Sequence, residues 1–275
     1  MSNRWRRGRE CPSIVISVSG SLLDLERHPL TDAEYVVQCR IELETSGALV
    51  LPGLVGSHAI ASIVAESSDR ETDAFYANST HNVFLTDPDP ALAPDHPLNR
   101  QVESSKGLIA DDQIPAGSPL RSIYGDPLLR SFLCGVLGLD AIYPYADEVS
   151  SINVHFAPNG RELGWHVDNS SFAVTMLLRS PEDGGSFEYV ADIRGDGDDE
   201  AMHRRVDGVL DGVASVQVLA FDPGDLVVFR GRNAIHRVTP TLGNVTRMLV
   251  VFAFNDQPGV ALSESALTTF YGRTA

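Results

Sequence analysis

Residues 151–179 have the sequence SINVHFAPNGRELGWHVDNSSFAVTMLLR, and this stretch decides the fold class. Residues 151–157 alternate polar and apolar side chains, as a strand with one buried face does, and 172–178 form a continuous apolar run. Pro158-Asn159-Gly160 between them is a turn sequence, because each of these residue types favours a turn position. The stretch therefore predicts antiparallel strands joined by tight turns.

The same pattern continues towards the C-terminus. Short segments of strand character follow at regular spacing, at 186–190, 215–220, 226–229, 235–239 and 248–254. Turn sequences DPGD and LGN separate some of them, and an acidic, glycine-rich stretch at 194–200 leads into a short helix ending near 210. Many short strands at such spacing predict an antiparallel sandwich or barrel.

Residues 30–140 carry helix signals instead. Thr31-Asp32 can cap a helix that stops at Gly47, and a short strand at 48–51 ends at a Pro-Gly turn. Further helices are predicted over 57–67 and from Pro127 to Gly138, whereas four prolines between 86 and 97 indicate a surface loop.

We predict an α+β fold in which helices pack against a jelly-roll, or double-stranded β-helix, barrel. The predicted division is an N-terminal extension at 1–30 followed by a single domain at 31–275. Within that domain, 31–147 would be the helical support and 148–257 the jelly-roll core, with no flexible linker between them.

Composition excludes several classes of function. The formal net charge of −16 repels phosphate backbones, so we expect no nucleic-acid partner, and no apolar run is long enough for a membrane helix. Cys11, Cys39 and Cys134 lie far apart, which argues against a disulfide framework and fits the cytoplasm. Basic charge is carried almost wholly by arginine, and Lys106 is the only lysine. The oligomeric state is not indicated.

The chemistry begins with the sequence Gly164-Trp165-His166-Val167-Asp168-Asn169. Side chains two apart on a strand point to the same face, so His166 and Asp168 can bind one metal ion. An imidazole and a carboxylate are two of the three ligands of a non-heme iron facial triad. A His-x-Asp pair alone is weak evidence, since a hydrogen-bonded surface pair has the same sequence.

Two more residues, His236 and Arg247, complete the pattern much later in the sequence. His236 begins a predicted strand, and strands remote in sequence face each other across a jelly roll, so it can supply the third ligand. Arg247 lies eleven residues later and opens an apolar strand. A buried guanidinium needs an anionic partner, and its planar fork suits a carboxylate. That partner would be the free carboxylate of a metal-chelating keto diacid, or an acidic side chain.

These motifs resemble those of the iron(II)/2-oxoglutarate dioxygenase superfamily. The stretches GWHVDNSSFAVTMLL, GGSFEYV, DLVVFRGRNAIHRVTP, FYGR and HNVFLTDPDPAL are similar to those of the free-amino-acid radical halogenases and their hydroxylase relatives, the BesD/HalD-like group. The likeness spans roughly 80–273. It implies that His166 and His236 bind Fe(II), that Arg247 binds 2-oxoglutarate, and that O2 is the oxidant.

Asp168 departs from the halogenating members, in which this position is a glycine that leaves a coordination site for chloride. A carboxylate here fills that site, so the resemblance favours hydroxylation, with release of succinate and CO2. The expected substrate is a free amino acid or an amino-acid-like small molecule. Desaturation or ring closure by the same chemistry, hydroxylation of a protein side chain, and a non-catalytic jelly-roll binding module remain alternatives.

Other residues near the motifs are candidates for supporting roles. Asn153 and Thr175, on the strands flanking the His-x-Asp segment, are predicted to contact 2-oxoglutarate, as is His155. For the substrate we predict contacts with Trp165 and Asn169, beside the metal ligands, and with His81 from a loop over the mouth of the barrel.

Overall fold

The structure, a computed structural model, describes residues 21–195 and 197–274. Most of the predicted extension at 1–30, including Cys11 and the basic segment before it, lies outside the described residues. Among the described helices, none is both long and apolar enough to cross a membrane.

The described residues form six α-helices: α1 (Ala33–Ser46), α2 (Ser57–Ser68), α3 (Pro119–Tyr124), α4 (Pro127–Leu137), α5 (Asp199–Leu210) and α6 (Glu264–Tyr271). The predicted caps of α1 are confirmed, because the Asp32 carboxylate accepts a hydrogen bond from the Tyr35 N–H and Gly47 ends the helix at φ 78°. Helix α4 likewise begins at Pro127 after the Asp126 cap and ends at Gly138.

Thirteen strands are present in the described part of the chain: β1 (Ala48–Leu51), β2 (Phe75–His81), β3 (Val102–Ile109), β4 (Ile152–Ala157), β5 (Leu163–His166), β6 (Ala173–Arg179), β7 (Asp183–Gly184), β8 (Phe187–Val190), β9 (Gln217–Leu219), β10 (Leu226–Phe229), β11 (Ile235–Val238), β12 (Thr241–Leu242) and β13 (Arg247–Phe252). The main sheet runs β1-β10-β6-β13-β4-β3-β5-β11-β8-β9, with β2 paired to β3, and every pairing is antiparallel. This curled sheet with flanking helices confirms the predicted α+β jelly-roll fold.

The hairpin formed by β2 and β3 corrects the prediction that 31–147 is helical apart from one short strand. β3 sits within the main sheet, bridging β4 and β5, so the sheet extends well before residue 148. Its sequence, VESSKGLI, is half polar, and β2, FYANSTH, is mostly exposed. Neither shows the apolar alternation by which a strand is recognised from sequence.

The two faces of the sheet have different roles. Val154, Phe156, Met248 and Val250 face the helices and belong to the main hydrophobic core, which also includes Leu43, Ile63 and Phe132 from α1, α2 and α4. The intervening residues of the same strands face the inside of the barrel, because side chains alternate along a strand. The site is built on that inner face.

Removing a core side chain from β4 tests this division of faces. Phe156 is fully buried at 0% exposure, so Phe156→Ala should lower the free energy of unfolding by about 3–5 kcal/mol, measured by urea denaturation. Val218, on the edge strand β9, is 62% exposed. Val218→Ala should therefore change the free energy of unfolding by less than about 0.5 kcal/mol. A loss below about 1 kcal/mol for Phe156→Ala would contradict this packing.

Candidate metal centre

The predicted metal ligands lie together. His166 ends β5 and His236 lies on β11, and the two residues are direct cross-strand partners. The Oδ1 atom of Asp168 lies 3.6 Å from the Nε2 atom of each histidine. Ligand atoms of the three side chains all fall within 4.8 Å of one another. Two imidazoles and one carboxylate on one side of a metal leave its remaining positions open, which suits non-heme iron.

Both histidines are held with the same ring nitrogen pointing at this centre. The Nδ1 atom of His166 lies 2.8 Å from the Gly164 carbonyl, and that of His236 lies 3.0 Å from the Ala234 carbonyl. A carbonyl only accepts, so each Nδ1 carries the proton and each Nε2 is left with a free lone pair. Burial, with a smaller contribution from neighbouring His236, holds the pKa of His166 well below 6.5, so this imidazole is neutral.

Asp168 is positioned by the turn before β11. Its backbone N–H donates to the Gly231 carbonyl at 3.0 Å, and its carboxylate lies directly against Gly231. A Cβ atom at Gly231 would lie 1.8 Å from the Oδ2 atom of Asp168, far inside van der Waals contact. The turn therefore requires glycine at 231 if the carboxylate is to face both histidines.

Arg247 lies at the start of β13 and is buried at 6% exposure. Its guanidinium forms no ion pair or hydrogen bond with any residue in 21–195 or 197–274, so an acidic side chain is not its partner there. Burial lowers its pKa to about 10, which still leaves it charged at neutral pH. A buried cation of this kind requires an anion from outside the described chain.

The register places the other predicted cosubstrate residues on the inner face, at a different level from Arg247. Asn153, Val251 and Thr175 form one cross-strand row. Val251 lies four residues along β13 from Arg247, roughly 13 Å of strand. The Asn153 amide donates to the Ser150 carbonyl at 2.9 Å, while its Oδ1 atom is buried without a partner in the described structure.

Two residues lie nearer to Arg247: His155, a predicted cosubstrate contact, and Lys106, for which the sequence predicts no role. His155 pairs with Leu249 on one side and Leu108 on the other, which puts it on the inner face between the levels of Arg247 and Asn153. Burial, then the charges of Lys106 and Arg247, hold its pKa well below 6.5. In the sequence, the alternation of polar and apolar residues in β4 indicates that His155 faces inward. Lys106 stands out because it is the only lysine.

The three predicted substrate contacts have different surroundings. His81 lies beside the metal centre, with its ring 6.2 Å from that of His166 and its Nε2 atom 2.7 Å from the Ser104 hydroxyl. Asn169 is exposed directly after Asp168.

Trp165 is the exception, because the structure does not bring it to the metal centre. As the residue before His166 on β5, it points to the opposite face, where it packs with Val83, Val167 and Ile235. The Arg237 guanidinium lies 4.7 Å from the centre of its ring. Its role is to bury apolar surface beneath the loop after β2, which corrects the predicted substrate contact.

The Gly231 contact predicts a loss of metal affinity. Gly231→Ala should push the Asp168 carboxylate away from the histidines and weaken Co(II) binding by at least about tenfold, measured by calorimetry. Gly117→Ala is the matched control, because a Cβ atom there meets nothing within 4 Å. Equal affinity in both variants would contradict the proposed position of Asp168.

The half-buried His155 predicts how the metal-free protein responds to acid. Its folded-state pKa lies below 6.5, so the unfolded chain binds more protons, and stability falls as pH drops through 6.5. The slope from this residue is up to about 1.4 kcal/mol per pH unit. His155→Gln should flatten the pH dependence in urea denaturation between pH 7 and pH 5.5, and an unchanged slope would contradict the neutral state of His155.

Comparison with known proteins places this site in a family. Several solved structures share the fold. An oxidoreductase of the 2OG-Fe(II) oxygenase family from Burkholderia pseudomallei aligns with a TM-score of 0.52 at 16% identity, covering 82% of this chain and 92% of that one. HygX from Streptomyces hygroscopicus, solved with nickel, 2-oxoglutarate and hygromycin B, gives 0.53 at 18% identity, covering 82% and 89%.

The non-heme alpha ketoglutarate dependent epimerase SnoN from nogalamycin biosynthesis gives a TM-score of 0.56 at 11% identity, covering 82% of this chain and 84% of that one. At these identities the likeness shows a common fold. No curated protein matches the chain by sequence. The family described as Halogenase D matches residues 102–268, which include β3, all three predicted metal ligands and Arg247. The chain therefore belongs to the Halogenase D family of enzymes.

Proposed function

We propose that the protein is an Fe(II)/2-oxoglutarate-dependent oxygenase that hydroxylates an unactivated C–H bond of a free amino acid or amino-acid-like small molecule. The observation that carries the proposal is Arg247. Its buried guanidinium lacks an anionic partner in the described chain, and it faces the same barrel interior as His166, Asp168 and His236. A dianionic keto acid that chelates a metal at one end satisfies both features at once.

Each protein group has a defined part in holding the reactants. The Nε2 atoms of His166 and His236 and the carboxylate of Asp168 would hold iron, and the fork of Arg247 would bind the distal carboxylate of 2-oxoglutarate. When bound, iron and 2-oxoglutarate together reduce O2 and supply the oxidant for the C–H bond, with succinate and CO2 as the co-products. Leu249 and Leu177, paired on the inner wall of the barrel, would help to exclude water from the bound reactants.

Hydroxylation is proposed over halogenation, although the family takes its name from halogenases. Asp168 supplies a third protein ligand atom, 3.6 Å from both imidazole nitrogens. The halogenating relatives have glycine at this position, which frees a site for the halide. With the carboxylate in place that site is filled, so a hydroxyl group rather than a halogen is transferred to the substrate.

The proposed substrate is small and polar. His81 lies beside His166 and Asn169 follows Asp168, so both can present polar groups to a substrate approaching the open side of the metal. The reaction is proposed to take place in the cytoplasm, consistent with the free thiols of Cys39 and Cys134.

Turnover with labelled oxygen tests the proposal. The purified protein is incubated with Fe(II), ascorbate, 2-oxoglutarate, pooled free amino acids and 18O2, and the products are measured by mass spectrometry. We expect one amino acid to gain a single 18O atom and succinate to gain the other. No halogenated product should form when chloride and bromide are present, because Asp168 occupies the site that a halide needs.

Arg247→Met is the variant that probes the cosubstrate site. Removing a charge-assisted bidentate contact should raise the KM for 2-oxoglutarate by about 30-fold or more. Arg273→Met is the control, because the Arg273 guanidinium is bound to Asp112 on the surface. Succinate without any oxygenated amino acid would contradict the free-amino-acid substrate, and the absence of succinate would contradict the oxygenase itself.

A further inference from the structure

Lys106, the only lysine in the sequence, lies inside the barrel. Leu108 pairs with the inward-facing His155, and Lys106, two residues earlier on β3, points to the same face. Protein atoms surround the side chain deeply enough to lower its pKa to about 8, yet part of its surface stays accessible. The side chain therefore lies inside the barrel without being sealed off from solvent.

The Lys106 ammonium has no partner within the described residues. It forms no hydrogen bond and no ion pair with any of them. Lysine is strongly hydrated, and enclosing it without a counter-charge is costly. Its pKa of about 8 nevertheless leaves it mainly protonated at pH 7. A free cation in this position favours an anion that enters the barrel.

Lys106 lies on the metal side of His155, whereas Arg247 lies on the far side. β3 is placed between β4 and β5, the strand that carries His166. The register of β3 and β4, continued by one residue from the Gly107–Phe156 pair, brings Lys106 beside Ala157, whose other neighbour is Arg247. The two cations thus share one row with a small residue between them, with backbones about 10 Å apart.

Interactions between charges agree with this placement. The Asp168 carboxylate raises the pKa of Lys106. The positive charge of Lys106 lowers the pKa of both His155 and His166. The positive charge of Arg247 also lowers the pKa of His155. The Lys106 ammonium is therefore within electrostatic range of the metal ligands, although its backbone shares a row with Arg247.

The balance of charge indicates that Lys106 is not needed to neutralise the cosubstrate. Fe(II) contributes two positive charges and Arg247 one, while 2-oxoglutarate contributes two negative charges and Asp168 one, so this set is already neutral. The Lys106 ammonium adds a positive charge that none of these groups offsets. An uncompensated, partly buried charge favours the binding of a further anion.

We propose that Lys106 binds a carboxylate of the substrate and thereby selects small organic acids, amino acids among them, over amines and neutral molecules. The inference rests on the proposed function and deepens it by naming the substrate group that the site recognises. Lys106 pairs with the carboxylate by a charge-assisted hydrogen bond and holds the remainder of the molecule towards the open side of the metal.

The single lysine allows a direct test by NMR. Protein grown with [ε-13C]lysine gives one lysine resonance, from Lys106, and Zn(II) replaces iron as a diamagnetic ion for the same ligands. Binding of 2-oxoglutarate to this protein is measured first, by calorimetry. The complex is then titrated with a pool of L-amino acids, and separately with the same amino acids as C-terminal amides, which lack the carboxylate.

We expect the acids to shift the Lys106 resonance and the amides to leave it unchanged. Lys106→Met should bind 2-oxoglutarate within about threefold of the wild type. The amino-acid pool should raise the melting temperature of the wild-type complex but not that of Lys106→Met, and Lys106→Arg should restore part of the effect.

Two results would overturn the inference while leaving the oxygenase intact. One is a resonance that responds equally to acids and amides. The other is a Lys106→Met variant that loses 2-oxoglutarate affinity as Arg247→Met does, which would make Lys106 a cosubstrate residue. Failure of the wild-type protein to bind 2-oxoglutarate would instead overturn the proposed function, and this inference with it.

Discussion

The direct cross-strand pairing of His166 with His236 is the constraint on which the site depends. The two strands are joined through about seventy residues of chain, and only the closure of the antiparallel sheet brings them together. Each imidazole then needs its Nδ1 proton fixed by a backbone carbonyl, and the third ligand needs a turn with no side chain at Gly231. These features act together, because a misplaced strand would misalign all three ligand atoms.

The interior of the barrel carries two positive charges without partners in the described chain, those of Arg247 and Lys106. Both side chains face the interior, and His155, on the strand between theirs, is kept neutral by burial and by their charges. The surface has the opposite character, since the chain carries a net charge of −16. The two inward-facing cations therefore favour an anionic ligand, whereas the protein surface as a whole repels one.

The sequence predicts the features that local residue patterns determine, and it does not predict those that depend on strand pairing. Strand alternation and turn residues predicted most strands from 148 onwards, and cap residues predicted α1 and α4. The spacing of His166, Asp168 and His236 predicted a cluster that the structure brings together. Trp165 was misassigned because proximity to a ligand in sequence says nothing of the face on which a strand side chain points. Lys106 was missed because its strand is half polar and gives no pattern, and its depth follows only from pairing with β4 and β5.

The most direct test of the central claim, that His166, Asp168, His236 and Arg247 hold iron and 2-oxoglutarate in one site, is anaerobic absorption spectroscopy. Fe(II) and 2-oxoglutarate are added together and separately to the wild-type protein and to His236→Ala. A visible charge-transfer band that requires both additions, and that His236→Ala loses, is the predicted result. If both molecules bind the wild-type protein without producing the band, they occupy separate sites and the claim is contradicted.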